Sequence, residues 1–273
     1  MRLVACDLDG TIVRRDGSIS ARTLAALAAC EADGVDVLFV TGRPTRWMAP
    51  VAAATGHHGL AICSNGAVLY DLGAERVVGT RALEPDAVLH VERALRAVLG
   101  PGAVFALETT SGFRREAGFV PRHEVAAAAP VGTLAELLAD GAAVVKILCR
   151  VEGETADPLL AAARSVLAGL AEPVHSDGRG SMIEIAAPGV SKASTLALVA
   201  QERHIGPDDV VAFGDMPNDV PMLRWAGRGY AMAGGHPEAL GAADDVAPPC
   251  AEAGVAQVLE ALLARSRTAA DLP

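Results

Sequence analysis

Four times along this chain a short apolar run stops at a cluster of small and polar residues. Leu3-Val4-Ala5-Cys6 ends at Asp7-Leu8-Asp9-Gly10-Thr11, and residues 35–40 end at Thr41-Gly42-Arg43-Pro44. Ala61-Ile62-Cys63 gives way to Ser64-Asn65-Gly66, and residues 209–213 give way to Gly214-Asp215. Unbroken apolar runs of this length are the pattern of strands buried on both faces, as in parallel sheets covered by helices. The intervening segments fit that requirement. Ser20 caps a helix to about residue 32, with Leu24, Leu27 and Ala28 on one face and Gly34 as its terminator, and Ser191 caps a second helix to about residue 203. Strand and helix alternation predicts a parallel α/β sheet, whose ligands gather outside the carboxyl ends of its strands. All four polar clusters fall at that end.

Between about 81 and 185 the pattern changes. Amphipathic helices are expected over 85–99, 133–139 and 157–170, with strand-like segments over 103–107, 143–151 and 182–185. That mixture reads as an inserted α+β domain, so the expected division is 1–82 with 187–273 as core and 83–186 as insertion. Residues 265–273 have little to bury and are expected to fray.

Composition narrows the function. The 273 residues carry a formal charge of −10, which argues against nucleic acid, because a phosphate backbone calls for a basic surface. Five cysteines at scattered spacings, with no CxxC pair, suggest reduced thiols in the cytoplasm. Asp7 and Asp9 interrupt the first apolar run, so no signal peptide is expected. Charges break the Ala-rich stretches before they reach the roughly 20 residues of a membrane span.

The polar clusters bring together residue types that need one another. Asp7, Asp9, Asp215 and Asp219 repel unless a cation or Lys192 neutralises them. A hard divalent ion with oxygen ligands is the natural solution, and Mg2+ is the usual one where phosphate is the substrate. Asp7 and Asp215 would supply carboxylate oxygens, and Asp9 its backbone carbonyl. Blander readings compete at each position. Asp9 and Thr11 can cap a turn, Lys192 can be a solvated first-turn lysine, and Arg43 divides between contacting substrate and pairing with a carboxylate. His57-His58 reads as an exposed turn, Cys6 and Cys63 as buried and inert, and Phe113 to Glu116 with Phe119 as ordinary surface and core.

Four motifs in order carry a family resemblance: Asp7-Leu8-Asp9-Gly10-Thr11, Thr41-Gly42-Arg43, Lys192 after Gly189-Val190-Ser191, and Gly214-Asp215-Met216-Pro217-Asn218-Asp219. The chain resembles haloacid dehalogenase superfamily phosphatases of the Cof-type branch. The resemblance implies a Rossmann-like core with a substrate-specificity cap between the second and third motifs, and hydrolysis of a small phosphate ester. It further implies that Asp7 is the nucleophile and Asp9 the general acid and base, with Thr41 and Lys192 completing the catalytic set. Leu8, Gly42, Arg43, Asn65, Gly66 and Asn218 would hold the phosphate, while Asp219 orients Lys192 or a metal-bound water. Transfer to a second hydroxyl, as in a mutase, and a sugar-phosphate sensor without catalysis remain alternatives.

Overall fold

The computed structural model describes residues 1–121, 128–177 and 180–270. It divides into two compact units, 1–78 with 192–273, and 79–191. In chain order the first unit starts with β1 (Leu3–Cys6), α1 (Ala21–Ala32), β2 (Asp36–Val40), α2 (Ala49–Thr55), β3 (Leu60–Cys63), β4 (Val68–Asp71) and β5 (Arg76–Thr80). The second contains α3 (Pro85–Leu99), β6 (Ala103–Thr109), β7 (Gly112–Arg115), α4 (Leu134–Leu137), β8 (Val144–Val151), α5 (Ala156–Leu167), β9 (Glu172–Val174) and β10 (Met182–Ala186). The first then resumes with α6 (Lys192–Glu202), β11 (Val210–Gly214), α7 (Val220–Trp225), β12 (Arg228–Met232), α8 (Pro237–Leu240), β13 (Asp245–Ala247) and α9 (Gly254–Ala270).

The first unit is the α/β core that the apolar runs predict. Its sheet has the order β13-β12-β11-β1-β2-β3-β4-β5. Pairing is parallel from β13 through β3, and β4 turns back antiparallel on β3. Both faces are buried. Leu3, Ala5, Leu38, Val40 and Ile62 join Leu196 and Val199 of α6 and Met222 and Leu223 of α7 in one apolar cluster. Val4, Cys6 and Phe39, which alternate with them along the strands, are equally inaccessible. Ser20 caps α1 by accepting from the Thr23 N–H. The buried stripe of α1 is Thr23, Ala26, Leu27 and Cys30, whereas Ala28 is exposed.

The expected fraying from residue 265 is overturned as far as Ala270. Helix α9 packs on α1, Arg22 binds Glu260 through two hydrogen bonds, and Arg267 binds Asp33. These cross-links hold the last turns where composition alone offers little to bury. Residues 271–273 lie outside the described residues. No described helix is long and apolar enough to cross a membrane.

In the second unit a five-stranded sheet has the order β7-β6-β8-β10-β9, antiparallel throughout. Alternation along the strands separates two faces. Phe105, Leu107, Ile147, Cys149, Ile183 and Ile185 form the helix-covered face, where Arg96 of α3 lies over the Phe105 ring. The opposite face carries Ala106 and Leu148 beside Phe119, and three buried charged residues, Glu108, Lys146 and Glu184.

Leu38 sits fully buried on central strand β2 within the main cluster. Leu38→Ala should therefore destabilise the protein by about 2–5 kcal/mol, read as a lower midpoint in urea unfolding at unchanged slope.

Candidate active site

The topology decides which residues meet. β1 lies between β2 and β11, with Cys6 level with Phe39 on one side and Phe213 on the other. The residues that follow each strand therefore emerge together. Asp7 extends the pairing by one step, its N–H donating to the Phe213 carbonyl at 3.0 Å. Thr41 and Asp215 leave the two neighbouring strands on either side of it.

Lys192 opens α6 and is completely buried. Its Nζ donates to Asp7 Oδ1 at 2.5 Å and to Asp219 Oδ1 at 2.6 Å. Asp219 is also inaccessible, and its other oxygen accepts the Asp215 and Met216 N–H groups at 3.0 Å each. One carboxylate thus fixes both the lysine and the loop that presents Asp215. Burial works against the lysine's charge, but Asp219 and Asp7 outweigh it and push its pKa above the ordinary range. Lys192 is an ammonium ion here.

That single cation does not balance its surroundings. Carboxylate oxygens of Asp7, Asp215 and Asp219 lie within 4.8 Å of one another. Burial, against the pull of Lys192 and with the repulsion of Asp219, lifts the Asp7 carboxyl to about 7. Burial followed by repulsion from Asp7 and Asp219 lifts Asp215 to about 9. Asp215 Oδ1 is buried with no hydrogen-bond partner among the described residues. An orphaned carboxylate oxygen in a cluster of excess negative charge fits a hard cation held by oxygen ligands. Asp7 and Asp215 are the residues free to hold it, because both Asp219 oxygens are committed to donors. Gly10 makes the geometry feasible: its φ is +85°, and a Cβ there would come within 2.2 Å of Asp215 Oδ2.

Asp9 stands apart from this cluster. Its side chain is half exposed and paired with Arg43, whose Nε donates at 2.7 Å while Nη2 donates to the other oxygen. Of the two readings of Arg43, pairing with a carboxylate is the one seen. Thr41 is buried, and its hydroxyl accepts the Arg43 N–H at 3.0 Å, which leaves the hydroxyl proton to be donated. Leu8 is fully buried, its carbonyl closing the loop by accepting from Thr11, Ile12 and Val13. Asn65 and Gly66 lie in the turn after β3, where the Asn218 amide donates to Asn65 Oδ1 at 3.0 Å. All of these residues and Gly42 belong to the first unit.

One expectation fails. His57 is buried, not exposed: its Nδ1 lies 2.7 Å from Glu31 and its ring packs edge-on against Phe39. Its partner lies on α1, a contact that two adjacent histidines in a sequence cannot announce.

The chain is similar to known proteins along most of its length. A model of haloacid dehalogenase-like hydrolases matches residues 4–259. Over 259 residues the chain is 26% identical to a phosphoglycolate phosphatase of Methanothermobacter thermautotrophicus, covering 95% of this chain and 97% of that one. It is 25% identical to the HMP-PP phosphatase of an Enterobacter species, with 88% and 86% covered. The solved subclass IIB sugar phosphatase BT4131 shares the fold, with a TM-score of 0.78 at 20% identity over 96% of this chain and 99% of that one.

The raised carboxyls have a measurable consequence. Folded Asp7 and Asp215 keep protons that the unfolded chain releases near pH 3.8. Their contribution to stability is thus fully present below that value and is lost as pH rises through about 7 and about 9. A bound divalent cation removes this loss, so magnesium should raise the melting temperature more at about pH 8.5 than at about pH 5.5, relative to chelator-treated protein. Equal gains at both pH values would contradict the assignment of the cluster.

Proposed function

This chain belongs to the haloacid dehalogenase-like hydrolases and is a phosphatase, and we propose that it is a magnesium-dependent phosphomonoester hydrolase that works through an aspartyl-phosphate at Asp7. The observation that carries the reading is the buried Lys192 held between Asp7 and Asp219, near an Asp215 oxygen that has no hydrogen-bond partner among the described residues. A lysine so placed stabilises an ionised nucleophile and the negative charge of a phosphoryl group next to it.

Each residue then has a task. An Asp7 oxygen attacks phosphorus in line, forming the acyl-phosphate bond as the ester P–O bond breaks. Asp9 gives its proton to the departing oxygen. In the second step Asp9 takes a proton from the water that attacks phosphorus, and Asp7 and inorganic phosphate are regenerated. The Thr41 hydroxyl, the Lys192 ammonium and the backbone amides of Leu8 and Gly42 donate to the phosphoryl oxygens. Magnesium, held by the carboxylates of Asp7 and Asp215 and the Asp9 carbonyl, would neutralise charge and orient the phosphoryl group. Arg43 anchors the Asp9 side chain between turnovers and is well suited to exchange that carboxylate for phosphate.

The second unit holds none of Asp7, Asp9, Thr41, Lys192 and Asp215, and its proposed task is substrate selection. Burying charge is costly unless it is used or compensated. The face of its sheet opposite α3 and α5 buries Glu108 and Glu184 with Lys146, whose Nζ lies 3.3 Å from Glu184, while the Ser176 hydroxyl donates to Glu184 at 3.2 Å. The carboxylates of Glu108 and Glu184 and the Lys146 ammonium offer acceptors and donors of the kind that suit the hydroxyls of a sugar or other polyol. Small phosphorylated polyols are therefore the proposed substrates, hydrolysed by the enzyme as it exists in the cytoplasm.

Two experiments test this reading. With an aryl phosphate, chelator should abolish release of inorganic phosphate and magnesium restore it, with calcium supporting less. Asp7→Asn should be inactive without forming phosphoenzyme. Asp9→Asn should lose roughly 10²- to 10⁴-fold and accumulate a phosphoryl adduct at Asp7 that mass spectrometry can locate; an adduct elsewhere, or an isomeric phosphate ester in place of free phosphate, would refute the hydrolytic scheme. In the second experiment, Glu184→Gln should lower kcat/KM for sugar phosphates by roughly 10- to 100-fold and leave aryl phosphate turnover near wild type. A uniform loss on all substrates would remove the selective role.

A further inference from the structure

Among the described residues the two sheets end on four strands, β13, β5, β7 and β9, and three of the four are blocked. β13 spans three residues and runs into Pro248-Pro249. β9 carries Pro173, which has no N–H to offer a further strand. β7 is covered on its outer side by the chain at 130–132: the Arg115 N–H donates to the Pro130 carbonyl at 3.0 Å, and the Gly132 N–H to the Arg115 carbonyl at 3.2 Å. Natural sheets use such devices to keep their edges from pairing with other chains.

β5 has none of them. No other segment among the described residues supplies a backbone hydrogen bond to the outer side of 76–80. The middle of the strand, Val77-Val78-Gly79, holds neither charge nor proline. Val77 is 42% exposed and Val78 46%. Successive residues of a strand point to opposite faces, so both faces of this edge are apolar and open to water.

The sequence around β5 also matches itself. In a two-fold symmetric antiparallel pair the axis passes between two copies of one residue, and every other pairing follows from it. An axis at Val78, the central residue, pairs all five residues of Arg76–Thr80: Val78 meets Val78, Val77 meets Gly79 and Arg76 meets Thr80. One step beyond the strand Glu75 faces Arg81, and the symmetry supplies this pair of opposite charges twice. An axis at Val77 or Gly79 shortens the ladder and sets Glu75 against Gly79 or Leu83 instead. The strip 75–81 holds two arginines and one glutamate, a basic segment on a chain whose formal charge is −10, so a second copy of this acidic chain is a partner it attracts.

We propose that β5 is the interface through which two copies of this chain pair edge to edge, antiparallel about Val78, in one continuous sheet. The contact is isologous and uses the single unblocked edge of each copy, so assembly stops at two. It does not depend on the phosphatase reading.

Sedimentation velocity of the wild-type chain at high micromolar concentration should show a species of twice the chain mass and none larger. Val78→Lys sets two ammonium groups against each other on the axis and should raise the dimer dissociation constant at least roughly tenfold. Glu75→Arg should raise it roughly three- to tenfold, and adding Arg81→Glu to that variant should return it to within about twofold of wild type. Val78→Cys should give a disulfide-linked dimer under mild oxidation, because residues directly opposite in an antiparallel pair lie at disulfide distance. Val78 and Glu75 are exposed, so the melting temperatures of these variants should stay near that of wild type, which separates loss of pairing from loss of fold. A wild-type chain that sediments as a monomer, or as species larger than two, overturns the proposal. A dimer that Val78→Lys leaves intact, or Val78→Cys that forms no cross-link, overturns it as well.

Discussion

The first unit is organised around one buried ammonium group shared by two carboxylates. Lys192 has no access to water, and neither does Asp219. Desolvating three ionised groups costs several kcal/mol each and is recovered only with short, well-aligned bonds. Those bonds constrain almost everything nearby. They require α6 to start at the mouth of the sheet and β1 to lie beside β11. They also require the loop after β11 to fold back so that Asp219 reaches both the lysine and the Asp215 amide. The structure accepts this arrangement although apolar packing would be simpler, which is the usual mark of a site kept for chemistry.

The same arrangement explains why the cluster calls for a further cation. Lys192 and the Asp215 and Met216 N–H groups together satisfy Asp219, Lys192 satisfies Asp7 in part, and one Asp215 oxygen has no hydrogen-bond partner among the described residues. The protein thus builds a deficit of positive charge next to its proposed nucleophile. Anything that enters to correct the deficit is placed where a phosphoryl group would also need neutralisation. Gly10 has no role in charge, but any side chain there would occupy the space of Asp215 Oδ2.

Much of this was legible because the sheet is parallel and fully buried. Apolar runs ended by Asp7, Thr41 and Asp215 mark both the strands and the end of the sheet at which their side chains gather. The weaker strands were not legible. β5 is an exposed edge and β13 spans three residues, so neither leaves a pattern distinct from a loop. Contacts between distant segments were hidden too. His57 finds Glu31 on α1, and Arg267 finds Asp33 across the same helix pair. The pairing of Asp9 with Arg43 was one of two open readings, since spacing gives no preference between a carboxylate and a substrate. The turn at Ser64 to Gly66 could be seen as polar, but its run of positive φ and its bonds to Arg43, Thr41, Thr195 and Asn218 depend on segments far apart in sequence.

The interrupted first unit has a consequence for how the chain comes to be folded. As it leaves the ribosome, β1 to β5 emerge early, but the strand that belongs on the other side of β1 is β11, about 200 residues later. All five strands of the second unit, by contrast, are contiguous and can pair as soon as they are made. Until β11 arrives, the Leu3–Cys6 edge is an uncovered apolar strand of the kind that invites pairing with other chains. The nascent protein therefore carries the Asp7 loop at the end of an unpaired apolar strand for most of synthesis. The inserted unit lengthens that interval, so a shorter or faster-made insertion would be expected to ease production of the whole chain.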